Sequence, residues 1–315
     1  MPDIVTLTIN PAVDIFVNVP HVEPTKKMRC SAPKRDPGGG GINVARAAHR
    51  LGADVAAIYP IGGAIGKLLQ RLVEREGIDS VVTPSHVETR ENFTAFEEDS
   101  GEQFRFVLPG SALHKVEWEA CLDKLAKLPE TPKFVVASGS IPPGVPGNFY
   151  AHVARIAKQL GAKMVLDTSG RSLAPALDEG VALIKPNQNE LSEFVGKRLE
   201  REGDYIAASR ELIVAGRAEA VALTLGEEGA LLVTAKQAWR AAAMQIEVAS
   251  TVGAGDSFLG GMVAALAADQ AMEDAFRMAI AAGSAAVMSP GTELCREEDV
   301  RRLLPDVKIS EVVPA

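Results

Sequence analysis

Short apolar runs alternate with amphipathic segments along most of this 315-residue chain, and no other feature restricts its fold as strongly. Apolar runs bounded by turn residues predict strands, and apolar residues at three- to four-residue spacing predict helices. The predicted strands are 3–8, 55–59, 134–137, 164–167, 182–184 and 220–224, and the predicted helices are 41–51, 66–76, 149–160, 204–215 and 258–268. Apolar strands separated by such helices form a parallel sheet covered on both faces. The sequence therefore predicts an α/β fold.

One region departs from this alternation. Residues 92–108 contain two β-rich runs on either side of an Asp-Ser-Gly turn at 99–101, which predicts a hairpin. Residues 14–19 and 26–32 also have an extended pattern, and we expect the four strands to form a small second sheet inserted into the α/β core. Because this sheet has no helices of its own, one face must pack on something else. A lid over the active site and a subunit interface would both satisfy this requirement.

Residues 251–257, Thr-Val-Gly-Ala-Gly-Asp-Ser, carry the strongest local signal of chemistry. They follow a strand-like run at 245–249 and precede the predicted helix 258–268. Gly253 and Gly255 let the backbone turn with its N–H groups exposed at the positive end of a helix, where a phosphate is stabilised. Asp256 would compete with an anion for these donors, so it is better suited to be a general base that accepts the proton of an attacking hydroxyl. A helix cap is the alternative role.

Four consecutive glycines, 38–41, lead into the predicted helix 41–51. They suggest that a ligand approaches the backbone closely, with Asn43 available to hydrogen-bond a hydroxyl; a flexible loop is the alternative. The run does not match the dinucleotide fingerprint, because Asn43 stands at the third glycine position and no strand directly precedes the run. This argues against an NAD-dependent oxidoreductase.

Residues 185–190, Lys-Pro-Asn-Gln-Asn-Glu, follow a predicted buried strand, at the end where α/β sheets bind ligands. Asn187 and Glu190 are spaced to face one site from a helix start. Glu190 could position Mg²⁺ through water, or it could simply stabilise the helix dipole. The glycines within 224–229 could lie along a nucleotide, or they could form an ordinary turn.

The charge balance narrows the class of partner. Thirty-three Lys and Arg against 41 Asp and Glu give a net charge of −8, which argues against nucleic acid, since phosphate backbones are held by clustered positive charge. A small phosphorylated substrate needs only a few basic residues, and Lys27, Arg29, Arg90 and Arg105 lie on or beside the predicted small sheet. The three cysteines form no CxxC pair, and the five histidines have no metal-binding spacing. No signal peptide or membrane-spanning run is recognisable, so we expect a cytoplasmic protein without a membrane partner.

Together these segments resemble the ribokinase-like PfkB family of sugar kinases. The resemblance runs from about residue 6 to about residue 304 and includes the glycine-rich run at 38–47, Ser-Gly-Ser-Ile-Pro-Pro-Gly at 138–144, and the segments 185–190 and 251–257. It implies a doubly wound, mostly parallel sheet with helices on both faces, plus a β-sheet lid that also forms a homodimer interface. The implied core comprises residues 1–10, 38–90 and 110–315, and the implied lid comprises 11–37 and 91–109.

The resemblance also assigns roles to individual residues. The implied catalytic residues are the base Asp256 and an anion hole of Gly253, Ala254 and Gly255. The implied sugar-phosphate ligands are Asp14, Gly39, Asn43, Arg90, Arg105 and Ser138. The implied ATP ligands are Lys27, Lys185, Asn187, Thr224, Gly226 and Gly229, with Glu190 near Mg²⁺. A monovalent cation such as K⁺ is implied near Ser250, Val252, Ala286, Ser289 and Gly291. Two positions depart from the family pattern, in that Asn189 replaces an expected lysine and Glu293 an expected basic residue.

The resemblance implies an ATP- and Mg²⁺-dependent kinase for a ketohexose phosphate, and it is greatest to the branch that phosphorylates fructose 6-phosphate to fructose 1,6-bisphosphate. Kinases of fructose 1-phosphate and of tagatose 6-phosphate are the alternatives within this class, because their substrates differ only in phosphate position or one stereocentre. A non-catalytic sugar-phosphate sensor is the alternative from another class. Asp256 and the intact glycines argue against a sensor.

Overall fold

The computed structural model describes residues 2–312. Its strands are β1 (Ile4–Leu7), β2 (Ala12–Val19), β3 (Lys34–Gly38), β4 (Val55–Ile61), β5 (Asp79–Pro84), β6 (Arg90–Glu97), β7 (Gln103–Phe106), β8 (Phe134–Ser138), β9 (Lys163–Asp167), β10 (Val181–Ile184), β11 (Ala218–Thr224), β12 (Ala230–Thr234), β13 (Ala238–Ala241) and β14 (Ile309–Glu311). Its α-helices are α1 (Gly40–Arg50), α2 (Gly63–Arg75), α3 (Lys115–Ala126), α4 (Phe149–Leu160), α5 (Leu173–Leu177), α6 (Gln188–Val195), α7 (Glu202–Val214), α8 (Ala254–Ala267), α9 (Met272–Val287) and α10 (Glu297–Leu303).

Ten of the strands within residues 2–312 form one large sheet in the order β14-β13-β12-β11-β10-β9-β8-β1-β4-β5. The strands from β11 to β5 in this order pair in parallel, and β12, β13 and β14 add antiparallel partners at one edge. The strand order reverses direction around β1, which pairs with β4 and β8. Ligands of α/β sheets bind beyond the carboxyl ends of the strands at such a point. The topology therefore predicts where the functional site lies.

Helices cover both faces of the large sheet, as predicted. Alternate residues of a strand point to opposite faces, and β1 shows this directly: Ile4 belongs to the core layer under α1, α8 and α9, whereas Val5 and Leu7 belong to the layer under α3, α4 and α7. All three side chains are fully buried. The α/β fold with both faces covered is confirmed. Among residues 2–312, no helix combines the length and apolarity that crossing a membrane requires.

The small sheet consists of four strands in the order β3-β2-β6-β7 within the described part of the chain. The hairpin predicted at 92–108 is confirmed, because β6 and β7 pair antiparallel. The strand period separates two faces. Asp14 and Asn92 lie side by side on one face, whereas Ile15, Phe93 and Phe106 lie on the other. One face thus carries most of the polar side chains and the other is mainly apolar; we call them the polar face and the apolar face.

Two predicted strands are wrong. Residues 26–32 form no strand, and the fourth strand of the small sheet is instead β3, which pairs with β2. Every residue of 26–32 is exposed, so no packing offsets the entropy lost on ordering an extended segment. Residues 245–249 are also irregular, because in the described structure they have no neighbouring strand to pair with.

The predicted boundaries of core and lid remain predictions. The outer ends of the predicted core, residues 1 and 315, lie outside the described residues.

Candidate active site

Asp256 lies in the first turn of α8, beyond the carboxyl ends of the parallel strands. Gly253 is the N-cap that precedes this helix, and its φ of 74° is a left-handed conformation that favours glycine. Asn43 on α1 donates a hydrogen bond from Nδ2 to Asp256 Oδ2 over 2.9 Å. The two helices approach closely because Gly260 on α8 faces Ala47 on α1, and a Cβ at Gly260 would lie 2.6 Å from the Ala47 Cβ. Close packing of α1 on α8 therefore brings the amide to the carboxylate.

The surroundings of Asp256 raise its pKa from 3.8 to about 6. Desolvation is the main cause, and the negative charges of Asp167 and Asp14 act in the same direction. The hydrogen bond from Asn43 and the charge of Lys185 oppose them. Asp256 is half-buried as a whole residue, so the desolvation reflects crowding by protein atoms rather than complete burial. A carboxylate with this pKa is ionised at neutral pH, yet it is basic enough to accept a proton from a hydroxyl in the transition state.

Lys185 and Asp167 form an ion pair at the ends of the adjacent strands β10 and β9, with Nζ and Oδ1 3.2 Å apart. Desolvation lowers the pKa of Lys185, but Asp167, Asp256 and Glu190 outweigh it and leave the pKa raised. The lysine therefore stays charged although its side chain is buried. Its Nζ reaches the start of α8, because a Cβ at Gly255 would lie only 3.4 Å from it.

Asp167 is a residue that sequence reasoning missed. Besides its pairing with Lys185, its Oδ2 lies 3.4 Å from the hydroxyl of Ser138, which is the last residue of β8. The available signal was a carboxylate at the last position of an apolar strand, directly before Thr-Ser-Gly. Such a position lies at the ligand-binding edge of a parallel sheet.

The glycine run 38–41 is not a flexible loop. A Cβ at Gly38 would lie 2.2 Å from Asp14 Oδ2, and a Cβ at Gly40 would lie 2.3 Å from Ser138 Oγ. Gly39, with φ of 105°, caps the start of α1. Asp14 and Ser138 thus occupy the space that side chains at Gly38 and Gly40 would need, and Thr8 occupies it at Gly39 and Gly41. The run therefore brings two predicted sugar-phosphate ligands next to the helix that carries Asn43.

The remaining predicted sugar-phosphate ligands lie on the small sheet. Burial raises the pKa of Asp14, against the hydrogen bond from Asn92 and the charges of Arg90, Arg46 and Arg105. Arg90 donates to the carbonyl oxygens of Asn10, over 2.9 Å, and of Leu108. Its buried Nε has no partner among the described residues. Arg105 is exposed on β7. Two arginines near Asp14 thus remain available to an anion.

The predicted ATP ligands meet at the ends of β10 and β11. Asn187 and Glu190 form a capping box at the start of α6, because each side chain accepts a hydrogen bond from the backbone N–H of the other. Thr224 follows in the next strand, and its N–H donates to Pro186 O over 3.0 Å. Gly226 and Gly229 both have positive φ in the turn after β11. Lys27 lies apart from this group, exposed and without a hydrogen bond or ion pair within residues 2–312.

Two loops bring the predicted cation ligands together. Ser250 Oγ donates to Gly291 O over 3.0 Å and accepts from the N–H of Val252 over 3.2 Å. Ser289 follows α9, and its N–H donates to Ala286 O over 3.0 Å. Backbone carbonyls and hydroxyls are oxygen donors of the kind that hard cations bind. Glu293 points elsewhere, since it pairs with Lys34 and Arg296 at 2.5 Å each. Asn189 is exposed.

Arg46 and Glu76 support Asn43 from behind, and sequence reasoning also missed these two residues. Arg46 is only 1% exposed and donates to Pro37 O over 2.9 Å and to Asn43 Oδ1 over 3.4 Å. Glu76, which follows α2, balances its charge at 3.0 Å. Arg46 thus connects the glycine run, the amide that contacts Asp256 and a neighbouring helix.

Known proteins are similar to this chain in sequence. The sequence profile of the pfkB family carbohydrate kinases matches residues 5–299. The ATP-dependent 6-phosphofructokinase isozyme 2 of Mycobacterium tuberculosis is 44% identical over 301 residues, which cover 96% of this chain and 88% of that protein.

Solved structures agree with the fold. Phosphofructokinase-2 from Escherichia coli in complex with potassium has a TM-score of 0.93 at 38% identity, covering 97% of this chain and 99% of that one. Its complex with fructose-6-phosphate has a TM-score of 0.92 at 37% identity, covering 98% and 99%. Arabidopsis thaliana ribokinase, at 20% identity, has a TM-score of 0.75 with 96% and 98% coverage, which identifies the fold alone as ribokinase-like.

Proposed function

The chain belongs to the pfkB family of carbohydrate kinases, and from that premise we propose that it transfers the γ-phosphoryl group of ATP to fructose 6-phosphate, giving fructose 1,6-bisphosphate. The observation that carries this proposal is the setting of Asp256, a carboxylate of raised pKa held by Asn43 at the start of a helix. The relatives named above act on fructose 6-phosphate or bind it. Their substrate supports the choice of fructose 6-phosphate over other ketohexose phosphates.

The chemistry needs little covalent help from the protein. Asp256 accepts the proton of the attacking hydroxyl while the N–H groups of Gly253, Ala254, Gly255 and Asp256, at the positive end of α8, stabilise the charge that develops on the transferred phosphoryl group. Lys185 adds a fixed positive charge at the same helix start. Positioning and electrostatics together lower the barrier.

Substrate binding follows from what surrounds this centre. Asp14, Asn43, Ser138 and the backbone at Gly39 offer hydrogen bonds to sugar hydroxyls, and Arg90 and Arg105 offer charge to the sugar's phosphate. On the other side of Lys185, ATP lies along Asn187, Thr224 and the glycines 226 and 229. Lys27 is exposed on the loop between β2 and β3, and we assign it to the nucleotide, reached across a dimer.

Two cations complete the proposal. Glu190 uses Oε2 in its capping box, and its second carboxylate oxygen can accept from a metal-bound water, which suits Mg²⁺ because this ion keeps several waters. Mg²⁺ would supply positive charge that neutralises the phosphates. The oxygens of Ser250, Val252, Ala286, Ser289 and Gly291 fit K⁺, in line with the potassium complex of the E. coli relative.

A homodimer is part of the proposal. The apolar face of the small sheet exposes Phe93 and Phe106, which are 37% and 58% exposed, and the next residues along the chain, Val107 and Leu108, are 63% and 51% exposed. A second copy of the same face would remove this surface from water. The polar face then remains free to cover the substrate.

Initial rates of ADP formation with Mg-ATP test the substrate. We expect kcat/KM for fructose 6-phosphate to exceed that for fructose 1-phosphate and tagatose 6-phosphate at least tenfold, about 1.4 kcal/mol of transition-state discrimination. A preference for either of the other sugars would replace the proposed substrate within the same family. No turnover with any of the three would reject it.

A further inference from the structure

Two histidines and a glutamate form a cluster where the small sheet is attached to the large one. His86 lies in residues 85–89, which lead from β5 into β6, and His114 ends residues 107–114, which return from β7 to α3. We call these two stretches the connecting segments. Glu117 lies in the first turn of α3. None of the three belongs to the active site described above.

Glu117 fastens both connecting segments. Its Oε1 accepts from the backbone N–H of His86 over 2.5 Å and lies 2.7 Å from His86 Nδ1, and its Oε2 accepts from the backbone N–H of His114 over 2.6 Å. The two imidazole rings stack with centroids 3.6 Å apart and planes inclined by 15°. A buried carboxylate therefore underlies a pair of exposed imidazoles.

The donor set suits a transition metal. One ligand atom from each of the three side chains lies within 4.8 Å of the others. Ligands of a tetrahedral zinc ion, each about 2 Å from the metal, lie roughly 3.3 Å apart. Because an imidazole binds a metal in its ring plane, one of the two stacked rings must turn out of the stack to close the site, and both rings are exposed enough to do so. Two histidines and a glutamate are also a ligand set that zinc uses when one position stays open to water. The exposed rings provide the entry path.

Glu117 is ready to act as a ligand. Its carboxylate accepts hydrogen bonds from the backbone N–H groups of His86 and His114, and these bonds favour the ionised form that metal binding requires. A carboxylate has about four lone-pair sites, so the backbone hydrogen bonds leave room for a further partner.

We propose that His86, His114 and Glu117 bind a divalent transition-metal ion of the zinc class, which ties the two connecting segments together. One nitrogen from each imidazole and one oxygen from Glu117 form the protein ligands, and water completes the coordination. Because β6 and β7 join the core through these segments, the ion restrains the attachment of the small sheet. This inference does not depend on the phosphoryl-transfer reaction.

The test uses the full chain, stripped of metal by a chelator and titrated with Zn²⁺ against a chromophoric competitor. We expect one ion per chain at this site, and Co²⁺ in its place should give the strong visible absorption of tetrahedral coordination. His86→Gln and His114→Gln should each weaken binding by at least about tenfold. His152→Gln is the matched control, because His152 stacks on Trp118 outside the cluster and its loss should leave zinc affinity unchanged.

Equal zinc affinity in the wild type and in the double variant His86→Gln/His114→Gln would overturn the proposal. If the double variant does not fold, hydrogen exchange of the wild type decides. Zinc should then slow exchange in residues 85–89 and 107–117, and protection confined to other segments would reject the site.

Discussion

At the scale of single residues, the proposed chemistry depends on Asp256 and the side-chain amide of Asn43 that contacts it. Asn43 fixes the carboxylate through Oδ2, and desolvation together with Asp167 and Asp14 makes the carboxylate a stronger base than an exposed aspartate. Arg46 in turn contacts Asn43. The base is therefore oriented by one residue and tuned by others.

Asp256→Asn should lower kcat at least about 100-fold, because it removes the proton acceptor while keeping the shape of the side chain. In the wild type, kcat/KM should fall as the pH drops below about 6, where the base becomes protonated. Steady-state ADP formation between pH 5 and 8 measures both kcat and the pH dependence of kcat/KM. Asp123→Asn, an exposed substitution on α3, is the control and should change neither value. An Asp256→Asn enzyme that is folded and retains most of its activity would contradict the assignment.

The same substitution should stabilise the protein at high pH. Since the folded pKa of about 6 exceeds the unfolded value of 3.8, this group's favourable contribution is fully present below pH 3.8 and is lost as the pH rises through 6. Ionised Asp256 then costs up to about 3 kcal/mol at pH 8 and roughly half of that at pH 5. Urea unfolding of Asp256→Asn and wild type at both pH values checks the difference. A difference that does not change with pH would refute this explanation.

At the scale of elements, the glycine run and the start of α1 shape the proposed sugar side of the cleft. Gly38 lies against Asp14, and Gly40 lies against Ser138. Arg46 connects α1 to Glu76, the residue that follows α2. Both features concern how neighbouring elements approach each other rather than any one side chain.

Gly38→Ala should raise KM for the sugar phosphate several-fold, because the added Cβ would lie 2.2 Å from the Asp14 carboxylate and must displace it. The KM for ATP should change much less, since Asp14 lies among the proposed sugar ligands. Gly203→Ala is the control: no atom lies within 4 Å of its added Cβ, and its φ is not positive. Initial-rate kinetics with each substrate varied in turn measure both constants. Equal changes in the two KM values would argue against a specific effect on the sugar site.

Arg46→Met should reduce the free energy of unfolding by about 3 kcal/mol or more, because it removes a buried cation and leaves Pro37 O and Glu76 with fewer partners. Arg50→Met removes an arginine that also contacts Glu76 but is 25% exposed, so its loss should be clearly smaller. Urea denaturation of the two variants gives the comparison. Comparable losses would indicate that burial of Arg46 does not determine its contribution.

At the scale of the whole molecule, the two sheets have different exposures. The large sheet has helices on both faces, whereas the apolar face of the small sheet is partly exposed. A contiguous exposed apolar patch usually marks an interaction surface. The fold therefore allows the small sheet to serve the cleft with one face and a second copy with the other.

Phe106→Glu should convert the proposed dimer into a monomer, because it places a charge on the exposed apolar face, where Phe106 ends the edge strand β7. Light scattering coupled to size exclusion should give twice the chain mass for the wild type and the single chain mass for the variant. Val214→Glu is the control, since Val214 is 87% exposed on α7, outside the small sheet. A dimer that survives Phe106→Glu would exclude this face as the interface.

The sequence by itself determined the α/β alternation, the hairpin at 92–108 and the position of Asp256 at a helix start. These features follow from local patterns of hydrophobic periodicity and glycine position. Such patterns depend only on residues that are neighbours in the sequence. Only the tertiary structure decided that Asp167 meets Lys185, that Arg46 supports Asn43, and that His86 and His114 stack. It also decided that residues 34–38 rather than 26–32 form a strand. The pairing of strands and the burial of side chains depend on residues that are distant in the sequence. No local sequence pattern can therefore predict these contacts.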